Sequence, residues 1–561
     1  MNKRPWLATM IGLLVVTTIA VLGLARPHGL KSAPLKSANL TTFMRTTNQA
    51  GQHDRIHQVH GTSMRQLPAN TRYIQVLPNQ RRQCMTGVGG ALTDSAAAVL
   101  RQATPSHRRQ ILHAYFSSTG AHYTNVRLTI GSCDFSTFSY DYESKQSDPS
   151  LRHFSMKAEN RNVRPMLQQI QAIQPHLALS AAPWAPPAWM KVSQRRAGQN
   201  FLVNNQLKPA MKTVYAAYLV KYLQNQRAHG INIETLSLQN ELQASSAWES
   251  MTWSPDQAAS FITHDLGPKL RQAGLPTRII VWDYVRSDQT EPVMMGFNQW
   301  TTAFYRHPGV KKYVTGIGIH WYAANLDPQM ALGNLFKQPA WDDNFTNLTT
   351  FHRQEPTQQI MATEATQERG IWLHSWTPAA RYSYDIINDF NHDVTGYLDW
   401  NLVLNGAGGP THKVTNPCSA PINVLHPGTS HERVVINPSY YILKRVSRDV
   451  QPGTVSVKSR SNVTGIDQTA IQQPDHSVRL LINNRHRHVE QITVVSGHQA
   501  YQVRLTPQSF NAISLPAVDQ QTTISTPPAL KTAPVFNGLK HVWSHWILPL
   551  LPLWQVWSLP L

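Results

Sequence analysis

The sequence predicts an α/β protein: a (β/α)8 TIM barrel with an associated β-sandwich domain. Between residues 84 and 400, short apolar runs alternate eight times with helix-like segments. Strands that alternate with helices indicate a parallel sheet, and eight repeats indicate a closed barrel. After residue 437 the pattern changes to short strands of period two, separated by Gly, Pro, Asn and Asp, which is typical of a β-sandwich. The 561 residues suit a barrel with a smaller module.

The first 27 residues are predicted to be a signal peptide or an N-terminal membrane anchor. Lys3 and Arg4 precede an uncharged apolar run that ends at Arg26-Pro27, as in export signals. The run is also nearly long enough to span a bilayer, so cleavage and retention both stay open. Either outcome predicts a secreted protein or one anchored at the cell surface. Residues 28–70 are polar and lack periodicity, and they are predicted to be a linker.

The net charge of +20 and the sequence pI near 9.9 predict attraction to an anionic surface, such as a cell wall or lipid headgroups. Dispersed solubilising charge is the alternative. No helix-turn-helix, zinc-finger or RNP-type motif accompanies the charge, so nucleic acid is not an expected partner. Three cysteines argue against a disulfide framework and against a cysteine metal cluster.

The barrel is predicted over residues 71–436. Its clearest helix is Pro209–His229, where apolar residues recur at helical spacing. Another helix opens at Ser254, with Pro255 at the first helical position and Gln257 completing a capping box. The eight predicted strands are Cys84–Gly90, Asn125–Thr129, Leu177–Ala181, Thr235–Gln239, Arg278–Trp282, Thr315–His320, Gln359–Thr363 and Gly396–Trp400.

The β-sandwich is predicted over residues 437–517, and a strand at residues 73–77 is expected to join it. Within this domain the run Arg485–His488 is rich in histidine and would gain charge in mildly acid surroundings. Residues 518–561 form a tail rich in proline and tryptophan, and Pro549 and Pro552 prevent one continuous helix there. The tail suits a membrane interface or an intermolecular contact, or it is an incidental terminus.

Two carboxylates lie where barrel strands end. Glu241 follows the fourth predicted strand and Glu364 follows the seventh. Active sites of TIM barrels lie at the C-terminal ends of the strands, so both side chains are expected at one mouth, facing each other. Hydrolysis of a glycoside needs such a pair: one acid protonates the leaving oxygen and one carboxylate attacks the anomeric carbon.

The other strand ends carry the residue types of a sugar site. Aromatic rings can stack on the apolar faces of sugars, and carboxylates or amides can bind the hydroxyls. The relevant segments are Ser132–Ser136, Pro183–Lys191, His320–Tyr322 and Asp399–Asn401. Together with the paired glutamates they predict an enzyme that acts on carbohydrate and needs no metal or other cofactor.

These segments resemble glycoside hydrolase family 30, and most of all its glucosylceramidase branch. The motifs are G-V-G-G-A-L-T-D, S-C-D-F-S, P-W-A-P-P-A-W-M-K, Q-N-E, H-W-Y, T-E-A and D-W-N-L-V-L-N, in order between Tyr73 and Pro516. The family is a retaining one, with a (β/α)8 barrel fused to a β-sandwich made from both chain ends. The resemblance implies that Glu241 is the general acid/base and Glu364 the nucleophile.

The resemblance also implies roles for the surrounding residues. Asn240 would hold the sugar 2-hydroxyl, Tyr322 would hydrogen-bond the nucleophile, and Arg127 would orient a catalytic carboxylate. The terminal glucose would be bound by Asp134, Trp184 and Trp400, Asn405 would line the aglycone side, and His320 would support the site.

The expected substrate is a β-linked glucoside or glycolipid, cleaved in the manner of a glucosylceramidase. An endo-β-1,6-glucanase, a β-xylosidase and a non-catalytic carbohydrate-binding protein of the cell surface stay open as alternatives. One departure from the family pattern bears on the aglycone. After the fifth strand many members carry Asn or Gln near the pocket, whereas this chain has Trp282-Asp283-Tyr284-Val285, interpreted as placing an apolar residue there.

Overall fold

The structure is a computed structural model that describes residues 40–144, 147–198, 204–288, 294–322 and 344–518. Within these residues the chain forms an eight-stranded parallel barrel and a second closed sheet of nine strands. The predicted fold class, a TIM barrel with an associated β domain, is therefore confirmed. The predicted signal or anchor segment (1–27), the beginning of the predicted linker and almost all of the predicted tail lie outside the described residues.

The parallel barrel is built from strands that match the eight predicted ones to within a few residues. Chain order and spatial order agree, because each strand pairs in parallel with the next and β11 closes the barrel on β4. Three strands precede or enter it: β1 (Leu40–Asn48), β2 (Arg55–Ser63) and β3 (Tyr73–Cys84). The barrel strands are β4 (Gly87–Leu92), β5 (Asn125–Ile130), β6 (Ala178–Pro183), β7 (Ile233–Ser237), β8 (Arg278–Val285), β9 (Val314–His320), β10 (Gln359–Glu364) and β11 (Val394–Asp399).

Helices follow the barrel strands and cover the outside of the barrel. The predicted capping box is present, because Ser254 Oγ accepts from Gln257 N and the Gln257 side chain accepts from Ser254 N. The predicted helix at Pro209–His229 is a short 3-10 turn followed by an α-helix. The α-helices are α1 (Asp94–Gln102), α2 (Pro105–Phe116), α3 (Lys157–Ile173), α4 (Lys212–Ala228), α5 (Pro255–Phe261), α6 (Gly267–Gln272), α7 (Phe297–Tyr305), α8 (Phe345–Gln354), α9 (Trp376–Asn391) and α10 (Pro438–Asp449). None of the described helices is long and apolar enough to cross a bilayer.

The chain leaves the barrel through a small sheet and then builds the β domain. The small sheet contains β12 (Val403–Asn405), β13 (Ile422–Leu425) and β14 (Arg433–Ile436). Helix α10 comes next, so the first residues assigned to the β-sandwich are helical instead. The remaining strands are β15 (Val455–Ser461), β16 (Ile466–Gln472), β17 (Val478–Asn484), β18 (Glu490–Ser496), β19 (Gln499–Leu505) and β20 (Ser509–Leu515).

The predicted linker is wrong for residues 40–63, which form β1 and β2 of the β domain. Strand β1 pairs with β2 on one side and with β20 on the other. Its buried side chains include Thr42, Met44 and Thr46, so its inward face is largely threonine and reads as polar in the sequence. The buried Thr46 hydroxyl donates to Asn511 Oδ1 at 2.8 Å, which satisfies it inside the domain.

Strand β3 connects the two sheets, since it pairs with β15 and β18 and then leads into β4. The expected strand at residues 73–77 is the beginning of this longer strand. At the junction the Gln83 side chain donates to the Phe390 and Val394 carbonyls, at 2.7 and 3.0 Å. Leu481 and Phe510 of the β domain belong to the same apolar core as the barrel. The β domain therefore forms a fixed support for the barrel.

Candidate active site

The two predicted carboxylates meet at the C-terminal mouth of the barrel. Glu364 is the last residue of β10, and Glu241 lies in the loop that follows β7. One carboxylate oxygen of each glutamate and one ring nitrogen of His320 all lie within 4.8 Å of one another. The structure thus brings together two acids from distant parts of the sequence.

Glu364 is buried and is held by two donors. Arg127 Nη1 donates to its Oε2 at 2.6 Å, and the Tyr322 hydroxyl donates to its Oε1 at 3.1 Å. Burial raises the pKa of Glu364, and the positive charges of His320 and Arg127 oppose this rise. Because each oxygen has its own donor, the carboxylate has a fixed orientation in the pocket.

Arg127, on β5, is the buried cation at the centre of the site. Its second amino group donates to Asn240 Oδ1 at 2.8 Å and to Asp283 Oδ2 at 2.9 Å. The guanidinium carbon also lies 5.2 Å from the ring centroid of Trp184 and 5.5 Å from that of Trp400. The planar guanidinium group suits this position, because its N–H groups can bond several acceptors at once while its faces contact aromatic rings.

His320, the last residue of β9, lies between two acids. Its Nδ1 is 3.3 Å from Glu241 Oε1, and its Nε2 is 3.2 Å from Asp283 Oδ1. Burial alone would lower the pKa of His320, but the surrounding carboxyls of Glu364, Asp283 and Glu241 raise it to about 9. The imidazole is therefore protonated at neutral pH and can donate from both ring nitrogens.

Glu241 is the more accessible of the two acids. Its side chain is 16% exposed, whereas that of Glu364 is 8% exposed. Its backbone has a left-handed conformation, with φ of 50°, and its amide donates to the Asp283 carbonyl at 2.8 Å. This turn directs the backbone away from β7 and leaves the carboxyl in contact with His320 at the mouth of the barrel.

Asp283 is a site residue that sequence analysis missed. It is fully buried and contacts Arg127, His320 and the Thr363 hydroxyl. Burial alone would raise the pKa of Asp283, but the charges of Arg127 and His320 hold this pKa well below its usual range. The segment interpreted as apolar therefore supplies an anion to the site. The available signal was an acidic residue inside an otherwise apolar strand end.

The residues predicted to bind the terminal sugar form one wall next to Arg127. The rings of Trp184 and Trp400 stack at a centroid distance of 5.2 Å, and Phe135 meets Trp400 edge to face. Asp134 is buried and accepts from Asn416 Nδ2 at 3.0 Å. Burial raises the pKa of Asp134 to about 7, against the opposing Asn416 hydrogen bond. Asn416 was not predicted from the sequence.

The side chain of Asn405 bonds the backbone of its own loop. Its side-chain oxygen accepts from the amides of Ala407 and Gly409, at 2.9 and 3.1 Å. These bonds shape the turn that begins the loop 406–418, which carries Asn416. The structure thus connects Asn405 to Asp134 through this loop and Asn416.

Glu249 anchors the same loop through His412 and Lys413. This buried carboxylate lies 3.1 Å from Lys413 Nζ and 3.3 Å from His412 Nε2. It also accepts from the hydroxyls of Ser132 and Ser139, which flank the segment that contains Asp134. One carboxylate therefore connects the loop that contains Asp134 to the loop 406–418, and sequence analysis did not identify it.

Comparison with known proteins identifies the family. Residues 85–450 match the model of the glycosyl hydrolase family 30 TIM-barrel domain. The chain belongs to glycoside hydrolase family 30. The resemblance predicted from the motifs is confirmed, and the paired glutamates lie in the barrel of a glycosidase.

Relatives of two kinds occur among the similar family 30 proteins. Mouse lysosomal acid glucosylceramidase is 29% identical over 73% of this chain and 76% of its own length. Putative glucosylceramidase 3 of Caenorhabditis elegans is 30% identical, over 68% and 70%. The endo-1,6-β-D-glucanase of Neurospora crassa is 28% identical, over 72% and 79%. The crystal structure of SrfJ from Salmonella typhimurium covers 85% of this chain and all of its own, with a TM-score of 0.75 and 24% identity, and shows a shared fold.

Proposed function

We propose that the protein is a retaining hydrolase of β-linked glucosides that acts by double displacement, in the manner of a glucosylceramidase. The observation that carries the proposal is the approach of a Glu241 oxygen and a Glu364 oxygen to within 4.8 Å. Retaining enzymes hold their two carboxyl groups about 5–5.5 Å apart, whereas inverting enzymes need roughly 6.5–9.5 Å to admit a water between them. An oxygen–oxygen approach of this size supports the retaining geometry, in which one carboxylate attacks the anomeric carbon directly.

In the first step the Glu364 carboxylate attacks the anomeric carbon. The bond from that carbon to the aglycone oxygen breaks, and the carboxyl proton of Glu241 passes to the leaving oxygen. Arg127 and Tyr322 fix the Glu364 carboxylate for this attack, which reduces the entropic part of the barrier. In the second step Glu241 takes a proton from water, the water oxygen bonds to the anomeric carbon, and the ester to Glu364 breaks.

The sugar is held by the wall described above. Trp184 and Trp400 supply aromatic surface, and Asp134 and Asn240 supply acceptors for hydroxyl groups. Arg127 orients Asn240, which binds the 2-hydroxyl, and it also bonds Glu364, the nucleophile. This arrangement couples recognition of the sugar to the position of the attacking carboxylate.

Two substitutions test the assignment on aryl β-glucosides. Glu364→Gln is expected to abolish turnover, because an amide cannot form the glycosyl ester. Glu241→Gln is expected to spare substrates with activated leaving groups, which need no proton. Glu368→Gln is the matched control, since Glu368 pairs with Arg381 and has no proposed role. Full activity of Glu364→Gln would reject the mechanism, and NMR of the first-formed product anomer tests retention directly.

An endo-β-1,6-glucanase is the second candidate, favoured by the Neurospora crassa relative at 28% identity. A panel of glucosylceramide, β-1,6-glucan and aryl β-glucosides and β-xylosides separates the candidates, including a β-xylosidase. Release of single glucose units or of longer oligosaccharides from the glucan separates exo from endo action. We expect glucosylceramide and aryl β-glucosides to be the better substrates.

We further propose that the protein is exported and associates with an anionic surface of the cell. The support is the charged and apolar pattern of residues 1–27 and the net charge of +20. Cell fractionation and N-terminal sequencing of the purified protein test export and distinguish cleavage from retention. Release by high salt would identify the association as electrostatic, since 1 M salt shortens the Debye screening length to about 3 Å.

A further inference from the structure

The β domain contains three potential metal ligands, two histidines and one glutamate, at alternate positions of the sequence. His486 and His488 lie in the connection between β17 and β18, and Glu490 is the first residue of β18. Residues 486–488 form a bend that leads into β18, so the backbone can bring these side chains together. The run Arg485–His488, which plays no part in the proposed hydrolysis, therefore has a geometric consequence of its own.

The structure shows that the three side chains converge on one point. His488 Nε2 lies 2.8 Å from Glu490 Oε1, and His486 Nε2 lies 3.7 Å from the same oxygen. All three atoms lie within 4.8 Å of one another. Typical Zn–N and Zn–O distances imply tetrahedral ligand separations of roughly 3.4 Å, between the two distances found here.

The surroundings fit such a cluster. A Cβ atom on Gly465 would lie 2.4 Å from His486 Nε2, so the glycine makes room for the ring. The other oxygen of the buried Glu490 is held by Arg72 at 2.5 Å, which orients the carboxylate as outer partners of metal ligands do. Asp467 pairs with Arg485 at 3.0 Å and so offsets a nearby positive charge.

We propose that His486, His488 and Glu490 bind a zinc ion, with water completing the coordination. Two imidazoles and one carboxylate are a donor set that suits Zn²⁺. Binding exchanges the contact of His486 Nε2 with the Thr464 carbonyl, now 2.9 Å, for a bond to the metal. The ion would fasten the connection between β17 and β18 and so stabilise the β domain, independently of the proposed hydrolase function.

The test is calorimetric titration of the chelator-treated full-length protein with Zn²⁺, wild type against His488→Asn. The His488 side chain is 66% exposed, so its replacement leaves the fold intact. The substitution is expected to weaken Zn²⁺ binding by at least about 10-fold. Replacing a residue that merely orients a metal ligand already lowers metal affinity by that factor. His486→Asn should do the same, and Zn²⁺ should raise the Tm of wild type but not of either variant.

The matched control is His476→Asn, an exposed position of the same domain whose left-handed backbone, with φ of 65°, asparagine also tolerates. It should retain wild-type affinity and stoichiometry. Tetrahedral Co²⁺ absorption that is present in wild type and in His476→Asn, and lost in His488→Asn, would support the assignment. Absence of Zn²⁺ binding in wild type, or unchanged binding in His488→Asn, would overturn it.

Discussion

At the scale of single residues, the site depends on how one cation is shared. Arg127 bonds Glu364, Asn240 and Asp283 and also donates to the Thr363 carbonyl at 3.2 Å. Removing one partner of a buried ion pair leaves an uncompensated charge, which costs more than the pair itself contributes. Arg127 is therefore both a structural and a positioning residue for the proposed nucleophile.

We expect Arg127→Lys to lower kcat on aryl β-glucosides by about 100-fold or more, because one ammonium cannot replace two directed amino groups. The free energy of unfolding should fall by about 1–3 kcal/mol, because the charge remains but some buried acceptors lose their hydrogen bonds. Steady-state kinetics and urea denaturation measure the two effects. Arg164→Lys, a buried arginine that bonds Asn225 and Gln226, is the control and should keep its activity. Wild-type kcat in Arg127→Lys would contradict the role.

His320 makes stability depend on pH in a definite direction. Its pKa is about 9 in the folded protein and about 6.5 in an unfolded chain. A raised folded pKa gives stability that is fully present below pH 6.5 and is lost as pH rises through 9. The full change is on the order of 3 kcal/mol. Urea denaturation at pH 6 and pH 9 should show this decrease in wild type, and His320→Asn should lack it. Parallel pH dependence in the two proteins would refute the prediction.

At the scale of elements, a break in strand β8 explains what the sequence could and could not predict. The strand ends that carry Glu241 and Glu364 follow from apolar runs of regular length. Asp283 was missed because Trp282 and Asp283 have positive φ and the pairing with β9 shifts there. Such a bulge redirects a side chain against the alternation of the strand, and composition gives no sign of it. Strand β1 was missed for a simpler reason, since threonine makes much of its inward face polar.

Gly318 of β9 provides the space beside this bulge. A Cβ atom there would lie 2.6 Å from Asp283 Oδ1 and 2.7 Å from Thr363 Oγ1. We expect Gly318→Ala to displace Asp283, lower kcat by at least about 10-fold and destabilise the fold by about 1–3 kcal/mol, as overpacking does. Kinetics and thermal denaturation measure both effects. Gly90→Ala is the matched control, since its new methyl group would meet the end of a flexible leucine, Leu402. An equal loss in both variants would show that any barrel glycine is sensitive.

At the scale of the whole molecule, alternation along β17 joins the β domain to the barrel. Leu480 and Ile482 point into the core of the β domain, whereas Leu481 between them belongs to the barrel core. Side chains along β17 alternate between the two cores, so both faces of this strand are buried. The same alternation identified the β domain in the sequence. What the sequence could not show is which partner covers the second face, because period alone does not identify a neighbour.

A shared core predicts that the two parts unfold together. Leu481→Ala removes a fully buried side chain at the junction and should cost about 2–5 kcal/mol. Leu505→Ala does the same inside the β domain alone. In both variants we expect one calorimetric transition, with loss of glycosidase activity and loss of near-ultraviolet circular dichroism at the same temperature. If Leu505→Ala instead produced an early transition that left activity intact, the β domain would be an independent unit. The barrel would then hold its catalytic residues without support from the β domain.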